Sequence, residues 1–268
     1  MLSRDELSRY SRNIFLEQVG RAGQERLKAS RVFVIGAGGL GSPVLLYLAA
    51  AGVGHIACID GDHLELTNLQ RQVLYSTDDV GQPKATVAAQ RVRALNPEVE
   101  VQAIVGRFTP ANAAGYLRGY DLLIETSDNF PTKFLANDAA VLGGIPLITG
   151  GILRFEGQVL AVRPGETACY RCIFERPPPA DAVPNCAQAG VLGAIAGIVG
   201  SLQAAEALKL LTGAGEDPAG RLLTLDLLDT ALRRIPVPRN PDCPVCSGPD
   251  GGAEIFSIEQ KNYDETSV

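Results

Sequence analysis

The sequence predicts an α/β protein with a doubly wound, mainly parallel sheet and a mixed or antiparallel C-terminal extension. Short apolar runs alternate with helix-like segments from residue 32 to residue 149, a pattern typical of a parallel sheet covered by helices. After Gly150 the pattern changes to short runs separated by turn residues, which is typical of antiparallel strand pairs. A chain of 268 residues, 46% of them apolar, can bury one substantial core.

The first half of the chain supplies the parallel part. A capping box of Ser3 and Glu6 opens an N-terminal helix, and a second helix is expected at residues 20–29. Buried strands are expected at residues 32–35, 55–60, 99–105, 121–125 and 146–149. Helices are expected at residues 40–51, 84–95, 111–117 and 134–142.

The second half supplies the extension. The expected strand pairs are residues 152–155 with 158–162, around a turn at Glu156 and Gly157, and residues 222–227 with 232–237. Residues 176–186, RPPPADAVPNC, contain too many prolines for a helix or strand and predict an exposed loop. The residues from Gly248 onward are polar and weakly patterned, so a flexible tail is expected at 249–268.

Composition and charge exclude several classes of function. The formal net charge is −6, whereas binding to DNA or RNA needs clustered Lys and Arg. The N-terminal stretch MLSRDELSRYSRNIF is charged throughout and has no signal-peptide core, so we expect a cytoplasmic protein. The six cysteines then indicate metal or thiol chemistry rather than disulfides, and two histidines leave little room for histidine chemistry.

A membrane-spanning helix and a buried helix are the two interpretations of residues 187–205, AQAGVLGAIAGIVGSLQAA. The segment has no charge and is about as long as a spanning helix. Ala and Gly dominate it, and Gln188, Ser201 and Gln203 interrupt it, which favours a buried helix and no membrane partner. Its glycines at three- and four-residue spacing would let another element approach closely.

A glycine-rich turn follows the first strand, in VFVIGAGGLGS. Gly36 would make a tight turn, Gly38 would let the backbone approach a ligand, and Gly41 would allow the helix to pack on the strand. Amides at the start of that helix would point toward an anion, and Asp60 could bind ribose hydroxyls. This order of elements favours a bound nucleotide over a glycine turn without a ligand, but leaves a redox dinucleotide and ATP open.

The polar residues after the second strand favour ATP. Past the strand end lie Asp60, Asp62, Asn68, Arg71 and Gln72, with Lys84 shortly afterwards. A triphosphate needs cations to balance its charge, whereas a nicotinamide needs an apolar slot. Singly, Arg71 and Lys84 could be ordinary surface cations, so the cluster carries the interpretation. Asp128 follows the strand at 121–125, where it could hold Mg²⁺ or instead cap the next helix.

The cysteines predict a metal site. Cys169 with Cys172, and Cys243 with Cys246, form two CxxC pairs that complete a tetrahedral thiolate site. We expect a structural zinc ion that clamps the C-terminal strands, with two redox-active motifs as the less favoured alternative. Cys58 lies in an apolar strand and is expected in the core.

Cys186 differs from the other cysteines. It follows the proline-rich loop and immediately precedes the apolar segment. A helix N-terminus and the nearby Arg176 could favour its thiolate. Position alone leaves a reactive thiol and a merely exposed cysteine open.

The motifs together resemble the MoeB/ThiF/HesA family, the prokaryotic relatives of ubiquitin-activating enzymes. They occur in the family order: RYSRNI, GAGGLGS, DGDHLELTNLQRQ, VGQPK, SDN, EGQ, CYRC, NCAQAGV, GSLQAAEALK and RNPDCPVC. The resemblance runs from about Arg9 to Cys246 and implies one adenylation domain, residues 1–248, with a Rossmann-like sheet. Its expected parts are N-terminal helices at 1–30, a nucleotide-binding part at 31–150, and a carrier-binding and zinc part at 151–248.

The resemblance implies an adenylation reaction. The C-terminal glycine carboxylate of a small ubiquitin-fold sulfur carrier, of the MoaD or ThiS type, would attack the α-phosphate of ATP and release pyrophosphate. That carboxylate is already ionised at neutral pH and needs no general base. Molybdopterin, thiamin and tRNA-thiolation pathways all stay open for the carrier.

The motifs and the resemblance assign site residues. Nucleotide contacts are expected from Gly36, Gly38, Gly39, Gly41, Asp60, Asp62, Thr67, Asn68, Leu69, Gln70, Arg71, Gln72, Lys84, Asp128 and Asn129. By resemblance, Arg71 and Lys84 would stabilise charge on the phosphates, and Asp128 would hold Mg²⁺ or the nucleotide. Arg12 would reach the ATP of a neighbouring subunit as an arginine finger, which implies a homodimer.

Cys186 matches the family cysteine that in some members joins covalently to the carrier. In other members the acyl-adenylate passes directly to a sulfur donor, so a covalent role stays open. Some relatives append a rhodanese domain, and residues 247–268 are too few to form one. A separate sulfur donor, such as a cysteine desulfurase or rhodanese, is therefore expected.

Two other classes of function fit parts of the sequence. An NAD- or flavin-linked oxidoreductase would use the same glycine turn, but the second half offers no evident acid-base residue for hydride chemistry. A non-catalytic, zinc-stabilised adaptor would have no use for Arg12, Arg71, Lys84 and Asp128. ATP, Mg²⁺ and Zn²⁺ are therefore the expected cofactors.

Overall fold

The computed structural model describes residues 1–179, 189–248 and 253–263. Eight strands form one sheet in the order β3-β2-β1-β4-β5-β6-β7-β8. The strands are β1 Arg31–Ile35, β2 His55–Asp60, β3 Glu100–Val105, β4 Leu122–Glu125, β5 Leu147–Leu153, β6 Glu156–Val162, β7 Arg221–Asp226 and β8 Ala231–Pro236. The first five strands of this order pair in parallel and the remaining pairs are antiparallel, so the predicted mixed sheet is confirmed.

The helices connect and cover the strands. They are α1 Arg4–Arg9, α2 Ser11–Ile14, α3 Gly20–Ala29, α4 Gly41–Ala51, α5 Lys84–Leu95, α6 Ala113–Leu117, α7 Phe130–Gly143, α8 Tyr170–Ile173 and α9 Gly193–Thr212. Short 3₁₀ turns lie at Leu66–Asn68, Thr77–Asp79 and Gln260–Asn262. At α1, Ser3 and Glu6 form the predicted capping box.

The parallel half is doubly wound because its strands are apolar on both faces. Val32 and Val34 of β1 belong to one core cluster, together with residues of α4, α5 and α9. Phe33 and Ile35 of the same strand belong to a second cluster, together with residues of α6 and α7. Alternate residues of one strand thus bury into opposite layers, as a parallel sheet covered by helices requires.

The hairpin after the parallel half corrects the predicted boundaries. Strand β5 is one element, Leu147–Leu153, where two strands were expected, and β6 starts at Glu156. The turn is therefore made by Arg154 and Phe155, because Leu153 pairs with Glu156. Arg154 has a φ of 54°, a left-handed conformation that the apolar pattern could not reveal.

Two helix starts also differ from expectation. α7 begins at Phe130, four residues before the predicted start, because Asn129 caps it. α9 begins at Gly193, whereas the apolar segment suggested a start at residue 187, and Ala187 and Gln188 lie outside the described residues.

Helix α9 is long and apolar enough to cross a membrane by length and composition. It packs against α4, β5 and β6, and an added Cβ at Gly200 would lie 2.4 Å from the Leu40 carbonyl oxygen. One added at Gly193 would lie 2.1 Å from the Gln70 carbonyl oxygen. The predicted close approach of another element is confirmed at these two glycines, whereas Gly197 has open space around it.

Part of the segment expected to be a tail packs against the second core cluster. Tyr263 is only 3% exposed, and Ile255 and Ile258 lie against the same cluster. The Ile255 backbone N–H donates to the Pro244 carbonyl, which attaches this segment to the loop that carries the last two cysteines.

Candidate functional site

A large cavity in the described part of the chain opens at the carboxyl ends of β1, β2 and β4. Its volume is about 880 Å³. Strand β1 lies between β2, which leads to β3, and β4, which leads to β5. The direction of winding therefore reverses at β1, and the loops on its two sides leave a crevice, as in other open α/β sheets.

The glycine turn forms the floor of this cavity. Gly36 has a φ of 93°, and a Cβ there would lie 2.9 Å from the Thr126 Oγ1. A Cβ at Gly41 would lie 2.3 Å from the Gly36 carbonyl oxygen. The turn thus needs glycine at both positions, while Gly38 and Gly39 line the cavity with their backbone.

Asp60 is fixed at the end of β2 by two backbone donors. Its carboxylate accepts hydrogen bonds of 2.8 Å from the N–H groups of Ala37 and Asp62. Burial raises the pKa of Asp60, and these two hydrogen bonds oppose the rise. The same carboxylate lines the cavity, where its remaining lone pairs are placed to bind hydroxyl groups.

Three cations, Lys84, Arg107 and Arg71, line the cavity. Lys84, 7% exposed, donates from Nζ to the Asp62 Oδ2 at 3.2 Å, and Arg107 donates to the Asp62 Oδ1 at 2.6 Å. Asp62 therefore lies between two cations. Arg71 donates from Nη1 to the Thr67 carbonyl at 3.2 Å, with its stem next to Gly39.

The loop after β4 presents an unpartnered carboxylate. The Asn129 side chain accepts from the Thr132 N–H at 3.0 Å and caps α7, so Asp128 is not the cap. Asp128 is exposed, lines the cavity, and makes no hydrogen bond or ion pair with any residue in the described part of the chain. Its charge is therefore available to a cation or ligand.

Most of the expected nucleotide residues converge on this cavity. Its lining includes Gly36, Gly38, Gly39, Asp60, Asp62, Arg71, Gln72, Lys84, Asp128 and Asn129. The cavity is not lined by Gly41, Thr67, Asn68, Leu69 and Gln70, nor by Arg12, which is exposed on α2. Cys186 and its loop beyond Pro179 lie outside the described residues.

Several lining residues had no part in the sequence expectation. They are Arg107 and Phe108 after β3, Thr126 and Ser127 after β4, Lys133 on α7, Tyr170 and Phe174 at α8, and Gln158, Thr224 and Arg233 on β6, β7 and β8. The first four follow strand ends, a position that could have marked them. The strand residues come together only through pairing, since Gln158 pairs with Thr224 and Thr224 with Arg233.

The two CxxC pairs meet in one cluster, as expected. The four Sγ atoms lie within 4.8 Å of one another, with 3.6 Å between Cys169 and Cys243 and 3.4 Å between Cys172 and Cys246. A tetrahedral zinc–thiolate site has sulfur atoms about 3.8 Å apart. Hydrogen bonds within the cluster, first among them those with Cys169, lower the pKa of Cys243 to about 7 and also lower the pKa of Cys172, while the pKa values of Cys169 and Cys246 are raised. The donor set therefore fits a closed four-thiolate site.

Helix α7 supports the first CxxC pair from behind. The Asn137 Nδ2 donates to the Cys169 Sγ at 3.7 Å, and its Oδ1 accepts from the Tyr170 N–H at 2.8 Å. Arg171, between the two cysteines, makes a buried two-pronged ion pair with Asp138. Cys58, in contrast, is fully buried in the core, as expected.

Comparisons with known proteins agree with this geometry. The ThiF family profile matches residues 10–245. The sulfur carrier protein adenylyltransferase of Thermus thermophilus is 53% identical, covering 96% of this chain and 97% of that protein. The SAMP-activating enzyme E1 of Haloferax volcanii is 48% identical, covering 99% of this chain and 96% of that protein. MOCS3 of Sus scrofa, an adenylyltransferase and sulfurtransferase, is 47% identical, and this chain spans 54% of its length.

Solved structures show the same fold. The crystal structure of E. coli MccB with ATP superimposes with a TM-score of 0.78 at 26% identity, covering 90% of this chain and 75% of that one. MccB with MccA-N7isoASN gives a TM-score of 0.80, covering 92% of this chain and 76% of that one. The architecture is thus a Rossmann-like α/β sheet with mixed strands.

Proposed function

The chain belongs to the ThiF family, and from this premise we propose that it is an ATP-dependent adenylyltransferase for a small ubiquitin-fold sulfur carrier. It activates the carrier's C-terminal glycine carboxylate as an acyl-adenylate and releases pyrophosphate. The observation that carries the proposal is the single cavity in which the glycine turn, Lys84, Arg71 and the unpartnered Asp128 converge. The full-length likeness to a sulfur carrier protein adenylyltransferase supports it.

In this proposal the cavity floor holds the phosphates. The amides of Gly38 and Gly39 face the cavity at the start of α4, where the helix dipole favours an anion. The fixed Asp60 carboxylate accepts hydrogen bonds from the ribose hydroxyls. Lys84 and Arg71 neutralise charge that develops on the oxygen bridging to the leaving pyrophosphate. Asp62 keeps Lys84 in position by accepting a hydrogen bond from its Nζ.

Asp128 is the proposed ligand of Mg²⁺, because its carboxylate lines the cavity beside the glycine turn, on the loop after β4, and has no protein partner among the described residues. When bound, Mg²⁺ supplies charge neutralisation for the triphosphate. The carrier carboxylate attacks the α-phosphorus, the phosphorus–oxygen bond to pyrophosphate breaks, and no proton moves.

The proposed path of the carrier's tail crosses the antiparallel extension. The cavity continues from the loop after β4 across Gln158, Thr224 and Arg233. These three side chains form one polar row across β6, β7 and β8, because their strands pair at these positions. An extended peptide needs such an open approach to bring its last residue to the glycine turn.

The remaining assignments complete the proposal. Cys169, Cys172, Cys243 and Cys246 hold a structural zinc ion, which leaves no open coordination position for chemistry. Arg12 acts across a homodimer, since it is exposed and does not line its own cavity. Cys186 accepts the carrier covalently, and a separate cysteine desulfurase or rhodanese supplies the sulfur, in the cytoplasm. Residues 1–248 form the one adenylation domain.

The test is carrier-dependent exchange of pyrophosphate into ATP. Exchange is expected with a carrier ending in intact Gly-Gly and is expected to vanish when the last glycine is removed. Lys84→Ala should lower the exchange rate about a hundred- to thousandfold, because one charge-stabilising donor is lost. Arg91→Ala is the matched control, since Arg91 lies on the same helix but pairs with Asp79 outside the cavity.

Two outcomes would contradict the proposal. Exchange that proceeds without a carrier would remove the carrier carboxylate as nucleophile. Tight binding of NAD with no binding of Mg²⁺-ATP, measured by calorimetry, would instead point to the oxidoreductase alternative.

A further inference from the structure

A buried carboxylate lies directly beneath the proposed Mg²⁺ site. Glu125 is the last residue of β4, and its side chain is 0% exposed. Its strand neighbours are Ile35 on β1 and Thr149 on β5, so the charge has been removed from water at considerable cost. A buried ion pair is weak evidence for stability, because an apolar pair of similar volume is often as stable. Glu125 therefore calls for a role other than stability.

Every oxygen of Glu125 is occupied. The Oε1 accepts the Ser127 N–H at 2.6 Å and also the Ser127 hydroxyl. The Oε2 accepts from the Lys133 Nζ at 2.7 Å and from the Thr149 Oγ1 at 2.8 Å. The backbone carbonyl accepts from the Gln203 Nε2 at 2.8 Å. The Glu125 carboxylate thus ties β4 to α7 and β5, and its backbone carbonyl ties β4 to α9.

These contacts fix the residues on both sides of Asp128. Ser127, immediately before it, is held by its N–H and its hydroxyl on Glu125. Asn129, immediately after it, is held by its capping bond to the Thr132 N–H. Thr126 is held as well, since its hydroxyl donates to the Ile35 and Gly36 carbonyls of the glycine turn. Among residues 126–129, Asp128 is the one whose side chain has no hydrogen-bond partner in the described part of the chain, and it lines the cavity.

We propose that Glu125 is a positioning residue: its carboxylate fixes Ser127 and thereby aims the Asp128 carboxylate at Mg²⁺-ATP. Lys133 places the opposite charge beside the buried Glu125 and also donates to the Gly150 carbonyl. Glu125 does not touch the substrate; it acts through Asp128. The inference rests on the proposed function, because it concerns the metal-binding carboxylate of that site.

The chain offers a matched control for Glu125. Asp79 is also buried, and its Oδ2 accepts the Ser76 N–H at 2.8 Å, the Ser76 hydroxyl at 2.8 Å, and Arg91 at 2.7 Å. This carboxylate holds a serine and a cation in the same way. None of the three residues lines the cavity.

The experiment compares Glu125→Gln with Asp79→Asn in exchange assays over a range of Mg²⁺ concentrations. In Glu125→Gln an amide donor must face either Ser127 or Lys133, which loosens the loop. The half-saturating Mg²⁺ concentration should rise about tenfold and kcat should fall about ten- to hundredfold, while the carrier KM stays within about twofold. Asp79→Asn should leave the Mg²⁺ requirement unchanged.

A second variant separates positioning from folding. Glu125→Leu with Lys133→Met removes both charges together, so the melting temperature should stay close to that of the wild type. Because Ser127 still loses its acceptor, the raised Mg²⁺ requirement should persist. A wild-type Mg²⁺ requirement in the folded variants, or an equal shift in Asp79→Asn, would overturn the inference.

The measurements on the wild-type protein separate the proposed adenylyltransferase function from the proposed positioning role of Glu125. No exchange by the wild-type protein with any carrier would contradict the proposed function itself. Calorimetry of ATP binding at several Mg²⁺ concentrations compares the same variants without a carrier. A Mg²⁺ dependence shifted in Glu125→Gln but not in Asp79→Asn would support the positioning role in either case.

Discussion

The parallel and antiparallel halves of the sheet differ in what covers them. The central strands β1, β2 and β4 are buried on both faces, so the parallel half offers its ligand groups at the strand ends and in the loops that follow. In the antiparallel half, Leu223 packs against the first core cluster, while Thr224 lines the cavity between Gln158 and Arg233. The catalytic groups and the open docking face are thus supplied by different kinds of sheet.

The two halves also differ in what holds them together. The parallel half has two apolar cores and connections that carry helices across both faces. The antiparallel half is joined at its ends by the cysteine cluster, since one CxxC pair follows β6 and the other follows β8. Its integrity should therefore depend on metal more strongly than that of the parallel half.

The largest effect is expected when metal is removed, and it should destabilise the antiparallel half. Removing zinc with a chelator should lower the melting temperature more than any single substitution, because a structural zinc site contributes about 10 kcal/mol or more. In hydrogen exchange, protection should be lost first around residues 163–174 and 237–248, while β1 and β2 stay protected. Equal loss of protection in both halves, or no loss in either half, would contradict the expected difference in metal dependence.

A smaller effect is expected at the glycine turn of the parallel half. Gly41→Ala places a Cβ 2.3 Å from the Gly36 carbonyl oxygen, within rigid backbone. The free energy of unfolding should fall by about 1–3 kcal/mol, measured by denaturant titration. Gly115→Ala in α6 is the control, because nothing lies within 4 Å of its added Cβ. A control variant as destabilised as Gly41→Ala would show that the tight packing is not the cause.

The smallest effect tests whether the open face of the antiparallel half, formed by Gln158, Thr224 and Arg233, binds the carrier. Arg233→Ala should raise the carrier KM several-fold, about 1 kcal/mol, and leave the ATP KM unchanged, because a polar docking contact is lost away from the phosphates. Arg234 points to the opposite face and pairs with Glu216 on the surface. Arg234→Ala should change neither constant by more than about twofold. Equal effects of the two variants would remove the open face from carrier binding.

The elements that depend on local pattern were predictable from the sequence. The βαβ unit around the glycine turn and the paired cysteines were identified because each signal lies within a few adjacent residues. Element boundaries that depend on a single residue were not predictable in this way. The start of α7 depends on Asn129 as its cap, and the turn between β5 and β6 depends on a left-handed Arg154.

The sequence by itself determined the layered fold, the glycine turn, the cation cluster and the four-cysteine set, since periodicity, spacing and residue type express them directly. Only the tertiary structure decided which partner each charge meets. It placed Asp62 between Lys84 and Arg107, left Asp128 unpartnered among the described residues, and buried Glu125 under its loop. A hydrogen bond is made over about 3 Å, and segments distant in the chain come within that range only once the sheet has formed.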